Sequence, residues 1–291
     1  MASFKPIRLS YNTHEPVCET DENLSPIIYL HGATVFKESW FDIPQIIANA
    51  TKRKSYSLDA RNHGESEWTD HFNFEVNADD LKHFMDTQGI DKAILVGHSM
   101  GGMTAIKTAL RWPDRVEKIV VEDMFVRKCP PETIKTILNY ITMLQKAIEE
   151  VPADLDEESA KKLVMKCLTE NIPAEMKDLT YEGKTKDDED DLRFLKFRRT
   201  AEGRYSSVCN LEALKKALGD LETAASDPQG QFAGPALFIY GKVSPFLVGA
   251  DEHHIKQFFP NAVFEGVEEA GHDVHFVKPL EFTDAVLKFI S

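Results

Sequence analysis

The sequence predicts an α/β protein: a mostly parallel sheet with helices on both faces, and an inserted helical lid. Three observations carry this. Strand-length apolar runs alternate with stretches of helical periodicity over most of the 291 residues, the pattern of strand–helix–strand units. Ile27-Ile28-Tyr29-Leu30 and Ala93-Ile94-Leu95-Val96 are apolar at every position, as strands buried on both faces must be. The alternation lapses between Phe125 and Asn210, where only helical patterns occur, and then resumes.

Phe4 to Tyr11 alternates apolar and polar, which predicts a half-exposed edge strand paired with a short run near Val17. Pro26 to Leu30 is a buried strand ending in His31-Gly32-Ala33-Thr34. Trp40 to Ala50 has helical spacing, Lys54 to Leu58 is a strand, and Asp59 to Ser66 is the loop beyond it. Phe74 to Thr87 is a helix with Val76, Leu81, Phe84 and Met85 on one side. A strand to Val96, a helix from Met103 to Arg111 and a strand from Val116 to Val121 follow, the last ending at Glu122-Asp123.

Within the insertion, Pro130-Pro131 opens a helix from Glu132 to Val151, a second runs from Glu157 to Glu170, and a third segment lies around Leu192 to Arg198. Ile134, Ile137, Leu138, Ile141, Leu144 and Ile148 stripe the first. The acidic run Lys184 to Asp191 reads as a solvated loop. Then come a strand from Ala236 to Gly241, a helix from Asp251 to Phe259, a strand from Val263 to Val267 and a closing helix from Leu280 to Ile290. The expected organisation is a core of residues 1–124 and 210–291 with a cap of residues 125–209, and a cap leaving and rejoining a sheet beside a reactive loop suits a lid.

That reactive loop is Gly97-His98-Ser99-Met100-Gly101, a sharp turn between buried strand and helix. Glycines on either side of a serine there allow the strained backbone that lifts its hydroxyl clear of the sheet. Ser99 is therefore the candidate nucleophile. A serine hydroxyl needs an imidazole to take its proton and a carboxylate to hold that imidazole in the right tautomer. Of ten histidines, His272 follows the last strand and so hangs over the same sheet edge; His275 is its nearest rival, while His253 and His254 sit on a surface helix. Asp123, at the end of the strand beside the elbow, is the candidate acid, with Glu212, Asp251 and Asp273 as alternatives. The backbone N–H groups of Met100 and Ala33 are the candidate oxyanion donors. His31 and His63 read as loop-bonding residues. Phe36, Trp40, Met103, Phe246 and Phe276 around the strand ends suggest an acyl chain or lipid-like ester as substrate.

Composition narrows the partners. A balance of 34 basic against 48 acidic residues gives a net charge of −14, which disfavours nucleic acid and anionic membrane surfaces. No run reaches the roughly 18 apolar residues of a membrane span, and no glycine-rich phosphate cradle or metal-ligand cluster occurs, so no cofactor and no metal is expected. The four cysteines, Cys18, Cys129, Cys167 and Cys209, form no Cys-x-x-Cys pair and suit free thiols in a reducing compartment. With no export signal at the N-terminus, a cytoplasmic location is expected. Nothing in the sequence specifies an oligomeric state or a protein partner.

Taken together, His31-Gly32, Asp59-Ala60-Arg61-Asn62-His63-Gly64-Glu65-Ser66, Gly97-His98-Ser99-Met100-Gly101-Gly102 and Ala270-Gly271-His272 resemble the α/β-hydrolase superfamily over nearly the whole chain outside the lid. More narrowly, with the Pro235-Ala236-Leu237-Phe238-Ile239 run and Ser244-Pro245, they resemble its serine esterase and lipase branch typified by abhydrolase domain-containing protein 11 of animals and its bacterial esterase relatives. The resemblance implies diacylglycerol-lipase-like or carboxylesterase activity through an acyl-enzyme. Its bacterial side implies Asp123 as the acid with Ser244 as an auxiliary; its animal side implies Glu212 and a mitochondrial location. The loop Ala33-Thr34-Val35-Phe36 departs from the large apolar and glycine residues usual after His-Gly, which bears on the oxyanion loop and acyl pocket. A thioesterase or amidase with the same residues, and a binding protein that keeps the fold without the chemistry, are the alternatives.

Overall fold

The structure, a computed structural model, describes residues 5–171, 192–219 and 228–291; the acidic run from Lys184 to Asp191 lies outside them. Among the described residues seven strands form the main sheet: β1 (Tyr11–His14), β2 (Ile27–Leu30), β3 (Ser55–Leu58), β4 (Ala93–His98), β5 (Val116–Glu122), β8 (Ala236–Gly241) and β9 (Ala262–Val267), in the order β1-β3-β2-β4-β5-β8-β9. All neighbours are parallel except β1, which runs antiparallel to β3. The first strand therefore begins where the Phe4 to Tyr11 expectation ends, and it pairs with β3 rather than near Val17, which is exposed. The alternation of Ile7 and Leu9 reflects burial against the core, without a ladder partner there.

The helices are α1 (Ile43–Thr51), α2 (Phe74–Thr87), α3 (Met100–Arg111), α7 (Glu252–Phe258), α8 (Val274–Val277) and α9 (Pro279–Ile290) in the core. Alternate strand residues face opposite ways. Ile27, Tyr29, Ile94 and Val96 thus pack with Ile43 and Ile47 of α1 and Phe282 and Val286 of α9. Ile28, Leu30 and Leu95 pack with Leu81 and Phe84 of α2 and Ala105 and Ile106 of α3. This two-sided burial is why the strands read as unbroken apolar runs. The register pairs Leu30 with Gly97, His98 with Glu122 and Gly241 with Val267, so the carboxyl ends of these strands line up along one edge, where ligands bind in open α/β sheets.

Beyond that edge lie α4 (Pro131–Glu149), α5 (Glu157–Asn171), a hairpin of β6 (Phe197–Arg199) and β7 (Tyr205–Ser207), and α6 (Leu211–Gly219). The hairpin corrects the expectation of helices alone: three residues per strand are too short to show a period, and the turn rests on Gly203 at φ 78°. The helix α6 was not foreseen, although Leu211, Leu214 and Leu218 recur at helical spacing and the Asn210 side chain caps it by accepting from the Ala213 N–H at 3.1 Å. Those three leucines are buried with Ile134, Ile141, Leu144 and Ile148 of α4 and Val164 and Leu168 of α5, so packing carries this cluster on to Leu218. Among the described residues no helix is long and apolar enough to cross a membrane.

Candidate active site

Ser99 is the hinge between β4 and α3. Its backbone lies at φ 51°, ψ −114°, a strained conformation for a residue with a side chain, and it is held on both sides: its N–H donates to the Glu122 carbonyl at 3.0 Å, and its carbonyl accepts from Met103 at 2.9 Å. The flanking glycines are required by space. A Cβ on Gly97 would stand 2.3 Å from the Gly101 carbonyl oxygen, and one on Gly101 would stand 2.1 Å from that of Leu30.

The loop after β9 brings in His272. Its Nδ1 lies 2.7 Å from Asp123 Oδ2, and Ser244 Oγ donates to the same oxygen. Asp123 sits just past β5 at φ 45°, with its N–H donating to the Ile239 carbonyl at 2.9 Å. The Phe246 ring stacks on the imidazole at 4.2 Å with 14° between planes. Burial alone would lower the pKa of His272, but the bond to Asp123 and the charges of Asp123, Asp273 and Glu122 outweigh it, so the net shift is upward.

A second buried pair lies alongside. Glu122 accepts from the His275 backbone N–H at 2.8 Å, and both its oxygens are 2.9 Å from that ring's Nδ1. His98 completes the group, with Nε2 3.2 Å from the His272 carbonyl; burial and the neighbouring His272 and His275 hold it neutral.

The loop after β2 is held by two buried histidines, as expected. The Ala60 N–H donates to His31 Nε2 at 3.0 Å, which leaves the proton on Nδ1 to bond the Gly32 carbonyl at 2.7 Å. In a planar trans peptide this turns the Ala33 N–H away from His31. His63 brackets the next carbonyl, with Nε2 2.6 Å from Ala33 O and Nδ1 2.7 Å from Arg61 O.

Ser99, His272, His98, Met100 and Ala33 all border one cavity of about 110 Å³ between the sheet edge and the helices α4 and α6. Its remaining walls are mostly apolar, from Phe72 and Phe74, Ile137 of α4, and Leu214 and Leu218 of α6. A family model for the alpha/beta hydrolase fold matches residues 25–279. The chain belongs to the α/β-hydrolase family. Relatives of this α/β hydrolase include the sn-1-specific diacylglycerol lipase ABHD11 of Mus musculus, 31% identical over all of this chain and 87% of the relative. The ABHD11 of Danio rerio is 28% identical over 100% and 85%. A solved marine microorganism esterase superposes with a TM-score of 0.74 at 27% identity, covering 97% of this hydrolase and 99% of the esterase.

The structure brings Phe246 to the cavity of this hydrolase and leaves the four other expected contacts outside it. Trp40 is buried under the sheet against Tyr29, His275 and Phe282. Met103 faces the core between α3 and the sheet, and Phe36 is packed into the cap-side cluster. Size and proximity in sequence to a strand end suggest these three; none of them borders the cavity. Phe276 likewise packs on Phe41 and Phe194. Glu212 points outward, its side chain 70% exposed and paired with Lys215 at 2.7 Å, so it does not meet the His272 ring. Tyr140, Met124, Phe72 and Phe74 were missed; Tyr140 lies one turn from Ile137 in the α4 stripe, which is the signal that locates it.

Proposed function

We propose that this α/β hydrolase cleaves carboxylic esters with Ser99 as nucleophile, His272 as general base and then acid, and Asp123 as the orienting carboxylate. The observation that carries the reading is that the strained serine and a histidine bonded to a buried aspartate border one apolar cavity. With its Nδ1 proton committed to Asp123, His272 offers the Nε2 lone pair to the Ser99 proton. Oγ attacks the ester carbon, the Met100 and Ala33 N–H groups receive the oxyanion, and the alcohol leaves with the proton from His272. Water activated by the same imidazole then frees the acid and restores Ser99. Ser244, donating to Asp123, acts as an auxiliary that keeps the carboxylate in place. The described residues from 125 through α6 act as a lid, and their apolar contribution to the cavity suits an acyl chain or a lipid-like small-molecule ester, in keeping with the diacylglycerol lipases among the relatives.

Labelling with a fluorophosphonate is the direct test. Wild type should be labelled and Ser99→Ala should not; label that persists in the variant refutes the assignment. Across alkyl esters from acetyl to palmitoyl, turnover should favour chains longer than acetyl, and a flat or acetyl-only profile removes the lipid-like reading.

A further inference from the structure

Asp273 follows His272 and stands at the N-cap of α8, where an aspartate ordinarily accepts a bond from the first-turn amides. Its side chain makes no such bond. Instead the residue borders the cavity, only 9% exposed. Among the described residues no donor hydrogen-bonds to its carboxylate; its contact is with His98, whose Nε2 lies 3.3 Å from Oδ1 and already leans on the His272 carbonyl at 3.2 Å. Across the cleft its charge adds to burial in pushing the Tyr140 phenol pKa up. Burial, with Glu122 and Asp123 nearby, raises the Asp273 carboxyl to about 6, so it is ionised at neutral and higher pH. A buried acceptor in this position is costly unless it is met, and the opening it faces is the substrate's.

We propose that Asp273 is a specificity-determining residue, accepting a hydrogen bond from a free hydroxyl on the alcohol half of the ester. This rests on the roles given above to Ser99 and His272. The departing oxygen takes its proton from His272, so the alcohol half lies where His272 borders the cavity; Asp273 borders the same cavity and is tied to His272 through His98, which contacts both. The opposite needs of the two halves match the walls: Phe72, Phe74, Ile137, Leu214 and Leu218 offer nothing to a hydroxyl, whereas an acyl chain needs only such surfaces. A site built to bond a hydroxyl rejects the isostere that lacks it, because its own polar group is then left unpaired.

The test is the ratio of kcat/KM for 2-hydroxyethyl butanoate to that for propyl butanoate, which differ by a hydroxyl in place of a methyl. Wild type should favour the hydroxyl ester by about tenfold or more. In Asp273→Leu the ratio should fall to about one, and in Asp273→Asn, which keeps an acceptor but not the charge, it should lie between. A purely structural role would scale both substrates together and leave the ratio unmoved. If Asp273→Leu does not fold, the Asn variant decides. A wild-type ratio near one, a ratio retained in Asp273→Asn, or a preference for the cationic 2-(dimethylamino)ethyl butanoate over the hydroxyl ester overturns the proposal. Fluorophosphonate labelling of the same preparation separates the two failures: labelled protein without a ratio sinks the role of Asp273 alone, and unlabelled wild type sinks the hydrolase assignment beneath it.

Discussion

Replacing Asp123 by Asn tests the acid with little steric change, since Asn tolerates the positive φ of 45° found there. The bonding around the carboxylate sets the cost. Oδ2 accepts from both His272 and Ser244, and Oδ1 has no partner among the described residues. If the amide oxygen takes the place of Oδ2, the amide NH2 is buried at the Oδ1 position with no acceptor, costing about 1–3 kcal/mol, and the charge that stabilises the imidazolium is gone. If the NH2 takes that place, it donates to Nδ1 and forces the proton onto Nε2, where it faces Ser99 and blocks proton abstraction. Loss of the acid in either arrangement should lower kcat on the order of 10³- to 10⁴-fold, roughly 4–5.5 kcal/mol of barrier. The assay is butanoate ester hydrolysis beside a thermal melt of the same preparations. A loss smaller than about tenfold in folded protein, or an equal loss in Glu212→Gln, would refute the assignment; exposed Glu212→Gln should stay within about twofold of wild type.

The pKa of His272 is raised from its ordinary 6.5, and the proposed mechanism needs the neutral ring, so kcat/KM should rise through a limb above 6.5; the stabilisation from the charged ring is full below 6.5 and is lost through the same window, so the melting temperature should fall as the rate climbs. Ser244→Ala removes the donor to Asp123 and leaves the Phe246 N–H, 3.2 Å from Oγ, without its acceptor; a loss of about 1–3 kcal/mol in denaturant unfolding and roughly tenfold in kcat is expected. Gly101→Ala drives a methyl against the Leu30 carbonyl, where neither backbone can yield without breaking the β2–β4 pairing, and should cost about 3 kcal/mol or more, read as a lost or lowered melt. Trp40→Phe should lower the melting temperature and leave the acyl-chain preference unchanged, because that indole packs under the sheet.

The sequence made the sheet and the elbow legible because both are local. Strands buried on two faces leave unbroken apolar runs, and a serine between two sterically required glycines marks a turn whatever surrounds it. The meeting of Asp123 and His272 was legible because each follows a strand at the edge where the carboxyl ends of parallel strands line up. The cavity walls were harder to read. Phe72 and Phe74 flank Asn73, which caps α2 by accepting from Val76 at 2.8 Å, and nothing local distinguishes them from other aromatics near strand ends and helix starts; Trp40 is equally suitable in sequence and packs elsewhere. The face a large apolar residue takes depends on the whole tertiary arrangement, so its presence near a strand end in sequence carries little information.

The carboxylates that close β5 explain why the proposed acid can stand there. Glu122 ends the ladder and Asp123 turns at positive φ, so consecutive residues meet different histidines. Glu122 takes the backbone N–H and the ring of His275, which pins the segment following β9 to the end of β5 three residues beyond His272. That anchor fixes where the loop crosses the sheet edge and leaves His272 to meet Asp123 and the stacked ring of Phe246. An acid after β8 would have to reach the same imidazole from the position held by Ser244, whose hydroxyl already donates to Asp123. A carboxylate at that position would set two negative charges against one oxygen's worth of space, in a site where burial removes the screening that would make this tolerable. Serine after β8 and aspartate after β5 are therefore one arrangement, and exchanging Ser244 for Asp while Asp123 remains should cost activity as well as stability.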